Sequence, residues 1–154
     1  MRAFAPLSFI LVAACAHGGT PSFQPQDWEP LYGTYQFEGT LRGEGTSASV
    51  SGTLRLADGR YYLTTTRGTC DGRLAPTVST DLGWGCRDGM GVSVRRVGNA
   101  LATEGTAGFS EPKYVDREVC HTDSNGVQVC TTRTERSSSS YRGRITIKKV
   151  SDQE

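Results

Sequence analysis

The most reactive side chains of this 154-residue chain are the thiols of five cysteines. They are Cys15, Cys70, Cys86, Cys120 and Cys130. A cysteine zinc site normally takes two ligands from one short Cys-x₂₋₄-Cys segment, whereas fifteen residues separate the second cysteine from the third and nine separate the fourth from the fifth. The chain has only two histidines, so no metal site is expected. We interpret the last four thiols as disulfide partners and give the first a separate role.

The segment before Cys15 has the character of an export signal. Arg2 gives a positive start, and the apolar stretch that follows is shorter than the about 20 residues that a membrane-spanning helix needs. The stretch ends in Val12-Ala13-Ala14-Cys15, which resembles the lipobox of bacterial lipoproteins. This resemblance implies that residues 1–14 are removed and that Cys15 carries a diacylglyceryl group and a further acyl chain such as palmitate. The mature protein would then be anchored in the membrane by lipid.

The residues around this cysteine also suggest a location and a domain plan. Ala16 follows the cysteine, and a residue other than Asp there resembles enteric lipoproteins that are sorted to the outer membrane. We expect residues 15–30 to form the lipidated cysteine and a flexible tether, because they are rich in Gly and Pro and show no period. Residues 31–150 would form one all-β domain, and residues 151–154 a short tail.

Four thiols in an oxidising compartment allow three disulfide pairings. We favour Cys70 with Cys86 and Cys120 with Cys130. The second pair has a geometric basis, because Asp123-Ser124-Asn125-Gly126 suits a three-residue hairpin loop whose glycine takes the left-handed conformation. That loop sets the two cysteines of the second pair directly opposite each other.

Asp58-Gly59 is the strongest turn signal in the chain. An Asp-Gly pair between two alternating runs suits a two-residue turn with positive φ angles. The register that this turn fixes pairs Leu56 with Tyr61 and Leu54 with Leu63 on the apolar face. Turn chemistry and apolar pattern therefore indicate the same hairpin.

Period-two alternation recurs from residue 31 onward and predicts an all-β domain of about eight strands. Gly39 and Gly52 fall on the face that would line the core, where a missing side chain lets strands coil strongly. We therefore favour an antiparallel meander closed into a small barrel over the alternative, a two-sheet sandwich. The expected strands cover residues 35–42, 48–56, 61–65, 92–97, 100–105, 114–122, 127–135 and 141–150. Residues 69–90 and 137–140 are expected to be loops.

No catalytic constellation is recognisable in the sequence. It has no Gly-x-Ser-x-Gly, no His-Glu-x-x-His and no phosphate-cradling glycine loop. The balance of 17 basic and 16 acidic residues argues against a protein that binds nucleic acid through phosphate contacts. We therefore expect neither an enzyme nor a cofactor nor a nucleic-acid partner.

Residues 51–68 are similar to the two motifs of the membrane-bound lysozyme inhibitors, Ser-Gly-x-x-Tyr and Tyr-x-x-x-Thr-Lys-Gly. Those inhibitors are small disulfide-containing β-barrel lipoproteins. The second motif is matched here by Tyr62, Thr66 and Gly68. Arg67 replaces its Lys, and Arg55 stands where the first motif has Tyr. The resemblance implies that Ser51 and Arg67 would enter the cleft of a lysozyme.

The sequence thus predicts a non-catalytic lipoprotein of the bacterial envelope, in the periplasm and at the outer membrane. Its partners would be the membrane, through the lipid anchor, and an unknown protein or small-molecule ligand. The alternative is a periplasmic inhibitor of a lysozyme-type enzyme. An apolar cavity lined by Tyr35, Phe37 and Tyr61 would indicate ligand binding, whereas a packed interior with a protruding charged loop would indicate a protein partner.

Overall fold

A computed structural model describes residues 22–152 of the chain. It contains one short helix, α1 (Pro25–Trp28), a 3₁₀ turn (Glu29–Leu31) and a single eight-stranded antiparallel sheet. The strands are β1 (Gly33–Gly43), β2 (Thr46–Ala57), β3 (Arg60–Thr65), β4 (Gly68–Arg73), β5 (Asp81–Gly85), β6 (Gly91–Val97), β7 (Ala100–Thr122) and β8 (Gln128–Ser151).

The sheet is a meander that curls into a nearly closed barrel. Its strand order is β4-β3-β2-β1-β8-β7-β6-β5, so the first and last strands of the chain pair in the middle. The edge strands β4 and β5 approach each other, and a disulfide joins Cys70 of β4 to Cys86, which directly follows β5. The barrel predicted from the sequence is therefore confirmed, and the two-sheet sandwich is not formed.

Tight turns set the register of the first hairpins. Glu44 and Gly45 have φ angles of 48° and 77°, and Asp58 and Gly59 have φ angles of 49° and 72°. Two successive positive φ angles match the right-handed twist of the flanking strands. The Asp58-Gly59 turn pairs Leu56 with Tyr61 and Leu54 with Leu63, as the sequence predicts.

Side chains fill the barrel. Tyr35 and Phe37 are only 4% and 3% exposed and belong to one continuous core cluster. Gly52 lies opposite Phe37 in the sheet, and a Cβ atom there would lie 2.7 Å from Cζ of Phe37 and 2.2 Å from the carbonyl oxygen of Thr64. The ring thus occupies the space that the glycine leaves open, which lets the sheet curl strongly at this point.

The prediction that residues 69–90 form a loop is wrong, because β5 and all of β4 except Gly68 lie within that stretch. Leu63 pairs with Cys70 in the β3–β4 ladder, and Leu82 pairs with Val94 in the β5–β6 ladder. Both strands are short and rich in Gly, so few apolar side chains reveal their alternation. Within these two strands, only Leu82 and Trp84 bury large side chains.

The prediction that residues 137–140 form a loop is also wrong. These four serines pair with residues 110–113 and continue the ladder between β7 and β8. The expected strands 100–105 and 114–122 are therefore one 23-residue strand, and the expected strands 127–135 and 141–150 are one 24-residue strand. A run of serines is typical of a loop, but cross-strand pairing decides its conformation here.

The tether prediction does not hold for the last residues of the 15–30 segment. Trp28 is 2% exposed and its Nε1 atom donates a hydrogen bond to the carbonyl oxygen of Ala75 at 2.9 Å. Leu31, at the end of the 3₁₀ turn, is fully buried. Burial of these two apolar side chains draws α1 into the domain. The expected signal, Cys15 and the residues up to 21 lie outside the described residues, as do residues 153–154.

Candidate functional site

The two ends of the barrel are built differently. At one end, the helix end, the N-terminal residues pack against the β2–β3 turn and the β4–β5 loop. The backbone N–H of Gln24 donates to the carbonyl oxygen of Pro76 at 3.1 Å, and that of Gly59 donates to the hydroxyl of Tyr32 at 2.9 Å. These contacts cover this end of the core with the segment that leads back toward Cys15.

A long two-stranded arm, residues 111–139, leaves the opposite end of the barrel. The β6–β7 ladder stops at Gly108 and the β1–β8 ladder stops at Arg142, so beyond these positions β7 and β8 pair only with each other. Twelve residue pairs, from Glu111–Ser139 to Thr122–Gln128, make up the ladder of the arm. At 3.3 to 3.4 Å per residue, the arm reaches about 40 Å beyond the barrel.

A stacked column of three side chains closes the barrel where the arm begins. The guanidinium carbon of Arg67 lies 3.4 Å from the centre of the Phe109 ring. Phe109 in turn stacks on Tyr141, with ring centres 4.7 Å apart and planes 15° from parallel. A cation over an aromatic face is stabilised by the quadrupole of the ring. Arg67 therefore acts here as a packing residue of the barrel rim.

Two ion pairs fix the base of the arm to the turns of the barrel rim. Arg67 pairs with Glu111, and Lys113 pairs with Glu44 at 3.0 Å. The hydrogen bond from Lys113 lowers the pKa of the Glu44 carboxyl, and a hydrogen bond from Ser139 lowers it further. Ser139 is the buried polar residue of the arm base, with 7% exposure. The arm is thus held at its root and exposed along most of its length.

A disulfide and a tight loop rigidify the tip of the arm. Cys120 and Cys130 lie directly opposite each other with their Cα atoms 4.0 Å apart, as the sequence predicts. The carboxylate of Asp123 accepts hydrogen bonds from the backbone N–H groups of Asn125 and Val127, both at 2.9 Å. Gly126 has a φ angle of 78°, the left-handed conformation expected from the loop type.

The tip also carries the described group of residues that most resembles a metal site. One ligand atom each from Glu118, Cys120 and Cys130 lies within 4.8 Å of the others. Both sulfurs are consumed by the disulfide, so they are not available as the thiolates that a metal would need. The geometry therefore supports a covalent brace rather than a metal centre.

The second disulfide, Cys70–Cys86, closes the seam between the two edge strands. Its Cα atoms are 5.7 Å apart, and the pairing is the one favoured from the sequence. Tyr61 supports the same seam, because its hydroxyl donates to the carbonyl oxygen of Gly85 at 2.7 Å. A covalent bond and a side-chain hydrogen bond thus complete the barrel where the backbone ladder ends.

Ser51 and Arg67 lie near each other at the arm end of the barrel. The carbonyl oxygen of Ser51 accepts a hydrogen bond from the backbone N–H of Thr66 at 3.3 Å, which places the serine beside the β3–β4 turn. The Ser51 side chain is exposed on the outer face of β2. Arg67, by contrast, is engaged with Phe109 and Glu111.

A cavity lined by Tyr35, Phe37 and Tyr61 would indicate ligand binding, but these three side chains pack together with the core instead. Tyr35 and Phe37 are buried in the core cluster, and Tyr61 packs against it from the seam. A concavity of about 610 Å³ lies on the outer surface instead, among small residues such as Thr106, Gly108 and Ser140. The described interior is therefore packed, and the feature that protrudes from the barrel is a two-stranded arm rather than the charged loop considered from the sequence.

Sequence reasoning missed the arm as a single unit and the packing role of Arg67. Pro112 and the serine run hid the continuity of the two long strands. The register of the hairpin reveals this continuity, because counting eleven residues back along β7 and eleven forward along β8 from Cys120–Cys130 brings Phe109 opposite Tyr141. The contact between Arg67 and Phe109 joins residues 42 positions apart and leaves no local signal.

Comparison with known proteins identifies no relative of this chain. No family model matches the chain, and no characterised protein or solved structure shows significant similarity to it. Among the described residues, no helix has the length and apolar character needed to cross a bilayer. The fold and site define the chain as a small disulfide-braced β-meander with a protruding arm.

Proposed function

We propose that this chain is a non-catalytic lipoprotein of the bacterial envelope that engages a partner protein through its arm. Cys15 carries the lipid anchor in this proposal, and the residues before Ser22 serve as the tether. The lipobox-like sequence Val12-Ala13-Ala14-Cys15 supports the anchor. The expected location is the outer membrane, facing the periplasm or the outside of the cell.

The observation that carries the proposal is the placement of the arm. The chain leads toward Cys15 from the helix end of the barrel, while residues 111–139 leave the opposite end. A lipid at Cys15 would therefore hold the helix end nearest the membrane and direct the arm away from it. Tyr114 and Val119 are 67% and 42% exposed on the arm, so it offers apolar surface for contact.

The disulfides support export from the cytoplasm. Cys70–Cys86 and Cys120–Cys130 are both formed, and structural disulfides persist in oxidising compartments such as the periplasm. The barrel core is small, and covalent bracing of a small core is common in exported domains. Pairing all four thiols leaves Cys15 as the single cysteine for lipidation.

The lysozyme-inhibitor alternative has less support. It requires Arg67 to enter a cleft of another protein, but this side chain is stacked on Phe109 and paired with Glu111. Its release would cost both contacts. We therefore favour the arm over the Ser51–Arg67 region as the interaction surface.

Membrane fractionation of cells that express the full chain tests the anchor. Cys15→Ala should leave the membrane fraction and lose incorporation of labelled palmitate. The matched control is the double variant Cys120→Ala/Cys130→Ala, which also removes cysteines and should stay in the membrane with its label intact. Unchanged membrane retention and labelling of Cys15→Ala would contradict the proposal.

A further inference from the structure

The two free edges of the arm differ in how they are protected. The β7 edge carries Pro112 and the like-charged pair Asp116 and Glu118, whereas the β8 edge from residue 128 to 140 has no proline, is rich in Thr and Ser, and carries charges of both signs. Proline and like charges on an exposed edge oppose pairing with other strands. The β8 edge lacks both the proline and the acidic pair, so it is the edge open to another strand.

Ladder geometry identifies which groups of β8 point outward. Asp123 donates its backbone N–H to Val127, and the Cα atoms of Cys120 and Cys130 are only 4.0 Å apart. Odd-numbered positions of the arm therefore form the hydrogen-bonded pairs, and even-numbered positions form the narrow pairs without them. Backbone N–H and C=O groups of residues 130, 132, 134, 136 and 138 thus face the free edge.

Pro112 fits the same geometry from the other strand. It pairs with Ser138 in a narrow pair, so its nitrogen faces the free edge of β7. A proline there removes a donor that a neighbouring strand would need.

Arg133 is a cation that the arm itself does not neutralise. It lies directly opposite Arg117, and like charges in a cross-strand pair are destabilising. Arg117 has Glu135 within 3.6 Å, whereas no carboxylate among the described residues lies within ion-pair distance of Arg133. An acidic group from outside the chain would relieve this repulsion.

We propose that the acidic group is Glu135 of a second copy, and that two chains pair antiparallel along their β8 edges about a twofold axis at Thr134. This inference rests on the proposed role of the arm as the interaction surface. The register places Arg133 opposite the partner's Glu135, and the same pair recurs on the other side of the axis. Both positions would be narrow pairs, in which side chains are closest.

The two neighbouring registers, in which the axis moves by one residue and the even-numbered residues still form the hydrogen-bonded pairs, are unfavourable. A twofold axis at Arg133 sets this arginine against its own copy, and an axis at Glu135 sets glutamate against glutamate. Only the axis at Thr134 gives two opposite-charge pairs. The resulting ladder spans residues 130–138 and stops before Arg142, where β1 occupies the same edge. The interface is isologous and closes as a dimer.

The β7 edge does not offer an equivalent arrangement. A twofold axis at Arg117 would set Asp116 of each copy opposite Glu118 of the other, which brings four carboxylates together. It would also set Arg117 opposite its own copy. Pro112 further interrupts the outward-facing donors on this edge. The charge pattern thus favours pairing of β8 with β8 over pairing of β7 with β7.

Charge reversal on two differently tagged full-length copies, extracted from membranes and recovered through one tag, tests the proposal. Wild-type copies should recover each other. Arg133→Glu copies should recover each other at least about tenfold less, and so should Glu135→Arg copies, because each variant sets like charges together twice. Arg133→Glu mixed with Glu135→Arg should restore recovery, because both opposite-charge pairs form again.

Folding of each variant is checked by its circular dichroism and by resistance to protease. Absence of recovery between wild-type copies would overturn the proposal, and so would folded single variants that pair like the wild type. Failure of the mixed copies to pair would overturn it as well. Membrane retention of the same variants reports separately on the anchor at Cys15, so failure of the dimer and failure of the proposed function are distinguishable.

Site-specific cross-linking provides a second measurement that does not depend on charge. Thr134→Cys would face its own copy across the axis and form an intermolecular disulfide. Thr132→Cys is the matched control, because its copies would be offset by four residues, roughly 13 Å along the strand. Equal cross-linking at the two positions would overturn the register.

Discussion

Cys70 and Cys86 join the two edge strands of the sheet, with their Cα atoms 5.7 Å apart and a sequence separation of 16. The double variant Cys70→Ala/Cys86→Ala removes this link. We expect it to lower the free energy of unfolding by about 3 kcal/mol, because closing a loop of this length restricts the unfolded chain by that amount. Denaturant unfolding measures the loss as a lower midpoint.

The arm disulfide is the control for this prediction. Cys120→Ala/Cys130→Ala should shift the midpoint less, because the arm lies outside the core cluster and can open locally. It should instead speed proteolytic cleavage near the tip of the arm. An equal or larger loss of stability from the arm variant would contradict the assigned role of the seam.

Arg67 should matter for stability through its contact with Phe109. Arg67→Ala should lower the free energy of unfolding by about 1 kcal/mol, since it removes a partly desolvated cation–π contact and the pair with Glu111. Arg55→Ala is the control, because that guanidinium lies 5.5 Å from the Tyr62 ring on an exposed face. Thermal unfolding measures the loss of stability in both variants. An equal loss for Arg67→Ala and Arg55→Ala would refute the packing role of Arg67.

The same variant separates the two functional hypotheses. We expect the full chain to leave lysozyme activity unchanged at micromolar concentration. Nanomolar inhibition that Arg67→Ala abolishes without loss of stability would instead establish the inhibitor alternative.

Gly52 should be required for the curl of the sheet. Gly52→Ala should cost about 1 to 3 kcal/mol, because a Cβ atom would meet the carbonyl oxygen of Thr64 at 2.2 Å. Gly83→Ala is the control on the exposed side of β5, where the nearest atom to a Cβ is 3.4 Å away. Similar unfolding midpoints for the two variants would show that the backbone accommodates a side chain at Gly52.

Tyr35 should make stability depend on alkaline pH. Burial raises the pKa of Tyr35 from 10.0 to about 12, and the charge of Asp152 adds to the rise. The folded state therefore holds this proton more tightly than the unfolded state, so its stabilising effect is full below pH 10 and is lost as the pH rises toward 12. Unfolding midpoints measured across this range should fall more steeply for the wild type than for Tyr35→Phe.

The parts of the fold that the sequence predicts are those with local turn chemistry. Asp58-Gly59 and the loop at Gly126 specify both a turn type and a register, and both registers are found in the structure. The disulfide Cys120–Cys130 follows from the second register. Gly52, on the core face of β2, correctly indicated a curled sheet.

The missed parts depend on contacts between residues far apart in sequence. β4 and β5 have few apolar side chains of their own and are ordered by pairing with β3 and β6. Trp28 sits in a proline-rich segment, and only its burial beneath the β4–β5 loop reveals that it belongs to the core. The role of Arg67 likewise depends on Phe109, which a different hairpin supplies.

We propose that the mature chain is a lipid-anchored, disulfide-braced protein that begins at Cys15. Intact-mass spectrometry of the full chain extracted from membranes tests it most directly. We expect the mass of residues 15–154, increased by a diacylglyceryl group and one acyl chain and reduced by two hydrogens for each of the two disulfides. A membrane-free species that retains residues 1–14, or one whose Cys15 bears no lipid, would show that the chain is not a lipoprotein of this kind.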